Sequence, residues 1–250
     1  MGNLIEASSH VAYPHLRPSM QVAEVDVLRG HFGDIKCPQI LQDNLRARDY
    51  TRNSLTAFVN EMKGAPINDL AKSSLKNGRT LDINFSCTFS TSALFVKDGR
   101  FPLSLWAHKG GYDTPVCMVS FSDLTYLSKA RKQPFGRQPL PVIVQLQGRQ
   151  LEETLGDASP AMQTQYDITK EVFENLRWER LLVELVMMWA RKEGFPALYS
   201  LPAKFNGYWC DNDELRSQLF KLRYDVTLER MGFETQSNGL WGISLINPIA

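Results

Sequence analysis

The chain has 250 residues, of which 43% are hydrophobic and 22% charged, so we expect a packed globular protein rather than a disordered one. Its 28 basic and 27 acidic residues leave a formal charge of +1, which argues against a general attraction to nucleic acid. No apolar run approaches the roughly 18–20 residues that cross a bilayer, and no signal peptide is evident. We therefore expect a cytoplasmic protein with no membrane partner.

The cysteines do not indicate a metal site or a disulfide framework. Cys37, Cys87, Cys117 and Cys210 lie far apart, without a paired or histidine-flanked spacing. Zinc sites and secreted disulfide scaffolds both need closer clusters, so we expect four free thiols in a reducing compartment.

The N-terminal part of the chain predicts an arm followed by one strand and several helices. Residues 1–19 show no period and contain two prolines, which is typical of an irregular arm. The rest, 20–250, is predicted to be a single domain with inserted loops. It begins with a β-branched strand at 20–28, followed by one or two helices over 40–62 and a shorter helix over 67–76, each with apolar residues at helical spacing.

The middle of the chain is rich in strands. Segments dense in β-branched and aromatic residues predict strands at 83–96, 101–108, 115–122 and 141–147. The last of these is nearly all apolar at its start, which favours a central position in a sheet. The basic, proline-punctuated segment 128–139 is predicted to be a surface loop.

The C-terminal part alternates between helices and strands. Residues 149–163 are predicted to be a polar loop with room for one helical turn. Residues 165–173 alternate between apolar and polar side chains, which favours a half-exposed strand, with a helix beginning near Asp167 as the competing interpretation. A strongly apolar helix follows over 176–194. The remaining predicted elements are a strand at 197–203, a helix over 214–233 and a hairpin closed by Asn238-Gly239.

This order of elements resembles the fold of the Gcn5-related N-acetyltransferases (GNAT) over residues 20–246. At the level of residues the resemblance covers 178–245, where WARKEGFPALYSLPA and RMGF are similar to the third helix, fifth strand and fourth-helix exit of the family. The resemblance implies an α/β (α+β) fold with a mainly antiparallel central sheet flanked by helices. It also implies acetyl-CoA or another acyl-CoA as a substrate, with an amine of unidentified nature as the acceptor.

The family binds the pyrophosphate of coenzyme A (CoA) with a loop of the form Arg/Gln-x-x-Gly-x-Gly/Ala before its third helix, where glycines let the backbone approach the phosphates. Here the segment Glu171 to Trp178 precedes the helix at 176, and no glycine lies between Gly156 and Gly194. A near match runs from Gln145 to Gln150, about thirty residues earlier. It would act as the loop only if another helix began near 150–156.

Several side chains near the 176–194 helix are implied to hold the cofactor. Guanidinium groups in the first helical turn suit phosphate oxygens, and an indole can cover an adenine or a pantetheine arm. The competing interpretation is a solvated helix face with the indole packed on the sheet. The implied cofactor-binding residues are Phe173, Asn175, Arg177, Trp178, Arg180 and Asn206.

The catalytic groups implied by the resemblance are an acid and a base. Tyr224 is placed to protonate the departing thiolate of CoA, although it lies one turn before the usual position, which Leu228 occupies. Asp167 and Glu171, as outward-facing carboxylates on a strand, are candidate bases that accept the proton of the amine. Each also has a structural interpretation, a helix anchor for the tyrosine and solvent exposure for the carboxylates.

A histidine and two serines are the other side chains with possible chemistry. His108, at the end of the strand 101–108, is either a base or a structural histidine. Ser120 and Ser122 lack the Gly-x-Ser-x-Gly elbow, so no serine nucleophile is predicted.

The sequence leaves two other interpretations open. The first is a GNAT-like domain that has lost or altered cofactor binding and acts as an interaction module, through the N-terminal arm or the basic loop that carries Lys129, Arg131, Lys132 and Arg137. The second is a different α/β fold in which the C-terminal match is generic helix–strand–helix packing.

Overall fold

A computed structural model of the protein describes residues 45, 48–90, 99–131, 135, 139–149, 159–206, 209 and 211–246. Its strands are β1 Asn84–Thr88, β2 Phe101–Lys109, β3 Tyr112–Asp123, β4 Pro141–Gly148, β5 Ala197–Ser200, β6 Glu234–Thr235 and β7 Trp241–Ser244. They form a seven-stranded sheet in the order β1-β2-β3-β4-β5-β7-β6. Neighbouring strands are antiparallel except β4 and β5, which run parallel. The prediction of an α/β fold with a mainly antiparallel sheet is confirmed.

Helices flank this sheet. They are α1 Arg48–Glu61, α2 Ala65–Ser73, α3 Leu124–Arg131, α4 Pro160–Asn175, α5 Trp178–Lys192, α6 Glu214–Lys221 and α7 Thr227–Arg230. A π-helical turn, Leu222–Val226, joins α6 to α7, and a 3-10 turn, Ala203–Phe205, follows β5. The predicted helices at 40–62, 67–76, 176–194 and 214–233 correspond to α1, α2, α5 and the α6–α7 unit.

The helix α5 carries much of the core, as its apolar sequence predicts. Trp189 is 1% exposed, and its indole N–H donates to Ser54 Oγ of α1 at 2.9 Å. The same ring lies 5.0 Å from the Phe121 ring of β3. These contacts place α1 and α5 on one face of the sheet, where the hydrophobic effect on buried aromatic surface holds them together.

The central position predicted for β4 is confirmed. Residues 141–146 are all buried, with β3 on one side and β5 on the other. The predicted hairpin at Asn238-Gly239 is also found, since Gly239 has a φ of 77° between β6 and β7, a conformation that glycine adopts without strain.

The predicted strand at 165–173 is wrong, because this segment lies within α4. Ser159 caps the helix by accepting the N–H of Met162, and Pro160 occupies the first turn, where its missing N–H costs nothing. The buried residues are Ile168, Thr169 and Val172, a helical spacing that the apparent alternation obscured.

The predicted loop at 128–139 is wrong in its first part, because α3 continues to Arg131. Asp123 accepts the N–H of Tyr126 at 2.6 Å and so begins this helix. Lys132 and Arg137 of that segment, the arm at 1–19 and the strand at 20–28 lie outside the described residues. Within the ranges given above, none of the helices has the length and apolarity to cross a membrane.

Candidate functional site

The strand β4 loses its β5 neighbour halfway along its length. Pairing with β5 covers only Val142 and Ile143, because the chain turns away after Ser200. In the described part of the chain, no strand pairs with residues 144–148 on that side. A gap therefore opens between the second half of β4 and the chain that follows β5.

A β-bulge in β4 lies at the start of this gap. Ser120 of β3 pairs with Gln145 and Phe121 pairs with Ile143, which leaves Val144 as the extra residue. Bulges bend a strand and re-aim its backbone groups, and they are common beside functional sites. This one directs the N–H and C=O of Leu146 toward the gap.

Tyr224 fills the gap at Leu146. Its hydroxyl accepts the Leu146 N–H at 2.8 Å and donates to the Leu146 carbonyl oxygen at 3.2 Å. Asn206 Nδ2 donates to the same hydroxyl at 2.7 Å. A phenol offers one donor and two acceptor positions, so these three bonds use its full capacity. Tyr224 is 0% exposed and Asn206 is 5% exposed, so the cluster is sealed from solvent.

The π-helical turn sets the position of Tyr224. The next residue, Asp225, accepts the N–H of Ala203 at 3.0 Å and the indole N–H of Trp241 at 2.9 Å. The Phe220 ring stacks on the Tyr224 ring at 5.9 Å with an interplanar angle of 8°. Such π-helical turns are rare in proteins, and those that occur often lie at functional sites.

Two aromatic rings cover the end of β4. A Cβ added at Gly148 would lie 2.9 Å from Phe173 Cζ and 3.2 Å from Trp178 Cζ2, so a side chain there would force the rings to shift. The centroids of the two rings are 5.4 Å apart. The structure thus brings together two of the predicted cofactor-binding residues, Phe173 and Trp178, at the end of the strand that borders the gap.

A carboxylate and a guanidinium lie beside these rings. Glu179, in the first turn of α5, keeps 24% of its side chain exposed, and its Oε1 lies 4.0 Å from Arg223 Nε. Burial raises the pKa of Glu179, and its own backbone N–H, Arg223 and Lys76 only partly offset this effect. The Arg223 guanidinium stacks over the Trp178 ring at 5.1 Å. This pair therefore lies beside the aromatic rings that cover the end of β4.

The near match to the pyrophosphate loop lies at the same place. Gln145 to Gly148 form the end of β4, and the next described helix, α4, begins at Pro160 rather than near 150–156. Gln150 lies outside the described residues. Arg149 Nη1 is buried and has no hydrogen-bond partner among the described residues. Burial lowers the pKa of Arg149, because it disfavours the charged form.

Other predicted cofactor-binding residues lie around the start of α5. Arg177 precedes the first turn. Its backbone N–H donates to the Ser74 carbonyl at 2.9 Å, and its Nη2 donates to Asn77 Oδ1 at 3.0 Å. Asn175 Nδ2 donates to the Glu171 carbonyl at 2.8 Å. Arg180 is exposed on the first turn. The start of α5 is therefore joined to the segment that follows α2 rather than to a preceding strand.

The two predicted bases lie on α4 and not on a strand. Glu171 accepts Lys109 Nζ with both carboxylate oxygens, at 2.9 and 2.7 Å. Asp167 is exposed and accepts Gln163 Nε2 at 3.1 Å. The strand location that motivated them is wrong, and their catalytic role stays a prediction.

A basic depression of about 530 Å³ lies next to the aromatic cover and shares Phe173 with it. The Lys76 side chain is held in place there, because its Nζ donates to the Phe173 carbonyl at 2.7 Å. The residues that line the depression are Lys76, Arg79, Tyr166, Lys170, Phe173 and Glu174. Three cations against one carboxylate make this surface suited to an anion.

The sequence predicted Tyr224, Asn206, Phe173 and Trp178 as site residues, and their roles stay predictions; it did not indicate Leu146, Glu179 or Arg223. Leu146 contributes only its backbone, which no side-chain pattern reveals. Glu179 and Arg223 read as ordinary charges of two amphipathic helices. In the described ranges no group of three His, Cys, Asp or Glu residues is placed to hold a metal ion.

No protein-family model matches the chain, and no curated protein matches it. Among solved structures, it is similar to a domain from Methanocaldococcus jannaschii DSM 2661, with 11% sequence identity and a TM-score of 0.32. That match covers 65% of this chain and 99% of the other.

Proposed function

We propose that this protein is a GNAT-like N-acyltransferase that transfers an acyl group from acyl-CoA to an amine. The observation that carries the proposal is the Leu146 backbone, whose N–H and C=O face a gap in the sheet and are held by the hydroxyl of Tyr224. An acyl-CoA presents amides along its pantetheine arm and a thioester at its end. Both can pair with the edge of β4 in the manner of an added strand once the Tyr224 hydroxyl has released Leu146.

In this proposal the acceptor amine attacks the thioester carbon while the Leu146 N–H, released by Tyr224, donates to the carbonyl oxygen. The C–N bond forms and the C–S bond breaks, and charge that develops on oxygen is stabilised by that fixed donor. Tyr224 then gives its proton to the CoA thiolate and regains one from solvent. Asn206 Nδ2, at 2.7 Å from the hydroxyl, stabilises the phenolate that forms.

A base must accept the proton of the amine. Glu179 is the carboxylate beside the aromatic rings at the end of β4, and burial raises its pKa, which brings a carboxylate closer to the range of a useful base. Asp167 and Glu171 remain the alternatives from the sequence, and Glu171 is neutralised by Lys109.

The phosphates of CoA need cations at the mouth of the gap. Arg149 Nη1 is a buried donor without a partner in the described residues, and its fork geometry suits a pyrophosphate. The basic depression with Lys76, Arg79 and Lys170 offers further positive charge to the nucleotide end.

A second candidate function is a binding module that uses no acyl-CoA. It is favoured by the completeness of the Tyr224 cluster, which already satisfies Leu146 without a ligand. The aromatic cover over Gly148 closes the end of β4 in the same way.

Thermal shift with acyl-CoA distinguishes the two functions. A ligand that binds only the folded chain raises the midpoint of unfolding at concentrations well above its dissociation constant. We expect acetyl-CoA or a longer acyl-CoA to raise it in the wild type, and Arg149→Gln to reduce the shift. Ser73→Ala, on the exposed side of α2, is the control and should respond like the wild type. The absence of a shift with every acyl-CoA would favour the binding module.

A further inference from the structure

A serine, a histidine and an aspartate form a hydrogen-bonded chain at the far side of the sheet from the gap. Ser86 Oγ lies 2.7 Å from His108 Nε2, and His108 Nδ1 lies 2.6 Å from Asp113 Oδ1. The three residues come from β1, β2 and β3, and we refer to them as the Ser86–His108–Asp113 cluster. Nothing in the proposed acyltransferase site uses them.

The strand registers explain this geometry. His108 pairs directly with Asp113 across β2 and β3, and with Asn84 across β1 and β2. Ser86 is two residues from Asn84, so it lies diagonally opposite His108 on the same face of the sheet. The cluster is therefore held by the backbone of three paired strands, which keeps the side chains in place.

The aspartate determines which nitrogen of the histidine carries the proton. A carboxylate only accepts hydrogen bonds, so Asp113 requires a proton on His108 Nδ1. Nε2 of the neutral ring then carries a lone pair, which accepts a hydrogen bond from the Ser86 O–H. This is the arrangement that activates a serine hydroxyl: a base within hydrogen-bond distance, oriented by a third group.

The cluster is open to small molecules. The His108 side chain is 34% exposed and the Asp113 side chain is 72% exposed. Trp106 lies directly across from Ser86 on the same face, and its indole N–H is fixed by Thr88 Oγ1 at 3.0 Å. A flat apolar ring beside the hydroxyl gives an acyl or aryl group a surface on which to rest.

We propose that the Ser86–His108–Asp113 cluster is a second catalytic site, which hydrolyses small carboxylic esters. Ser86 Oγ attacks the ester carbonyl carbon and passes its proton to His108 Nε2. The bond to the alkoxy oxygen breaks, and His108 returns the proton to the departing alcohol. Water then attacks the acyl-Ser86 ester with the same base, releasing the carboxylic acid and restoring the serine. Asp113 is a positioning residue in both steps.

The edge of the sheet supplies a donor for the developing oxyanion. The Phe85 N–H points away from β2, since it donates to Asn68 Oδ1 at 2.8 Å. Because backbone groups alternate along a strand, the N–H of Cys87 also points to that edge, immediately after the nucleophile. A backbone N–H at this edge can donate to an oxyanion that develops beside it.

Covalent labelling tests this proposal without knowledge of the natural ester. The full chain is incubated with an alkyl fluorophosphonate and the modified peptide is located by mass spectrometry, while hydrolysis of p-nitrophenyl acetate is followed in parallel. We expect modification at Ser86 and at least a tenfold loss of hydrolysis in Ser86→Ala. Asp113→Asn should slow the labelling of Ser86 without changing the melting temperature, which a merely structural role would not produce.

Ser73→Ala, an exposed serine with no histidine beside it, is the matched control and should hydrolyse and label like the wild type. Absence of the fluorophosphonate from Ser86 in the wild type would overturn the proposal, whether or not Ser86→Ala folds. Equal hydrolysis by the wild type and a folded Ser86→Ala would overturn it as well.

Discussion

The hydroxyl of Tyr224 satisfies three buried polar groups at once, on Leu146 and Asn206. The position of this tyrosine relative to the RMGF segment marked it in the sequence. Asn206 was also predicted to lie at the site, but its contact with Tyr224 and the role of Leu146 were not, because Leu146 acts through its backbone and Asn206 reaches the tyrosine only after the 3-10 turn.

Tyr224→Phe should destabilise the protein by about 1–3 kcal/mol, because burial of unpaired polar groups costs that much. Chemical denaturation with fluorescence detection measures the change. Tyr126→Phe is the control, since this side chain is 46% exposed, and it should change the unfolding free energy by less than about 0.5 kcal/mol. Equal stability of Tyr224→Phe and wild type would contradict the hydrogen-bonded cluster.

Glu179 predicts a dependence of stability on pH. Burial raises its folded-state pKa above the ordinary value of 4.5, so above pH 4.5 the folded chain retains a proton that the unfolded chain releases. The contribution of Glu179 to stability therefore falls as pH rises from 4.5 through the folded-state pKa. Glu179→Gln should be more stable than wild type near neutral pH and should lose this slope, as measured by denaturation at a series of pH values.

The exposed Glu174→Gln, at the end of α4, controls for the loss of one carboxylate. If Glu179→Gln and Glu174→Gln gave the same profile, the burial of Glu179 would not be the cause of the slope.

At the scale of elements, the packing of α4 and α5 on β4 depends on the absence of a side chain at Gly148. Gly148→Ala places a methyl group 2.9 Å from the Phe173 ring, and overpacking of this kind costs about 1–3 kcal/mol. Phe173→Leu should relieve much of that cost in the double variant. A double-mutant cycle measures the coupling, and additive effects of the two substitutions would contradict the contact.

The helix α4 also shows why one element was predicted wrongly. Apolar and polar residues alternate over 165–173, but the cap at Ser159 and Pro160 begins a helix several residues earlier. Local alternation over nine residues was outweighed by the cap and by packing of Ile168 and Val172 on the sheet. In contrast, the long apolar stripe of α5 was sufficient for a correct prediction, since its period extends over several turns.

At the scale of the whole molecule, the sequence predicted the layers and most of the order of elements but not the site. Hydrophobic period determines which segments pack, and it is visible along the chain. The gap beside β4 depends on where β5 ends and on the bulge at Val144, and both are products of strand pairing between distant segments. The Ser86–His108–Asp113 cluster, which spans three strands, was hidden for the same reason.

Calorimetric titration of acetyl-CoA into the wild type and Tyr224→Phe tests the central claim most directly, which is that the gap beside Leu146 binds an acyl-CoA. We expect binding to the wild type at one site per chain. We expect equal or tighter binding to Tyr224→Phe, because no hydroxyl then competes for the Leu146 N–H, together with slower acyl transfer. The absence of heat from both proteins, with acetyl-CoA and with longer acyl-CoA species, would contradict it.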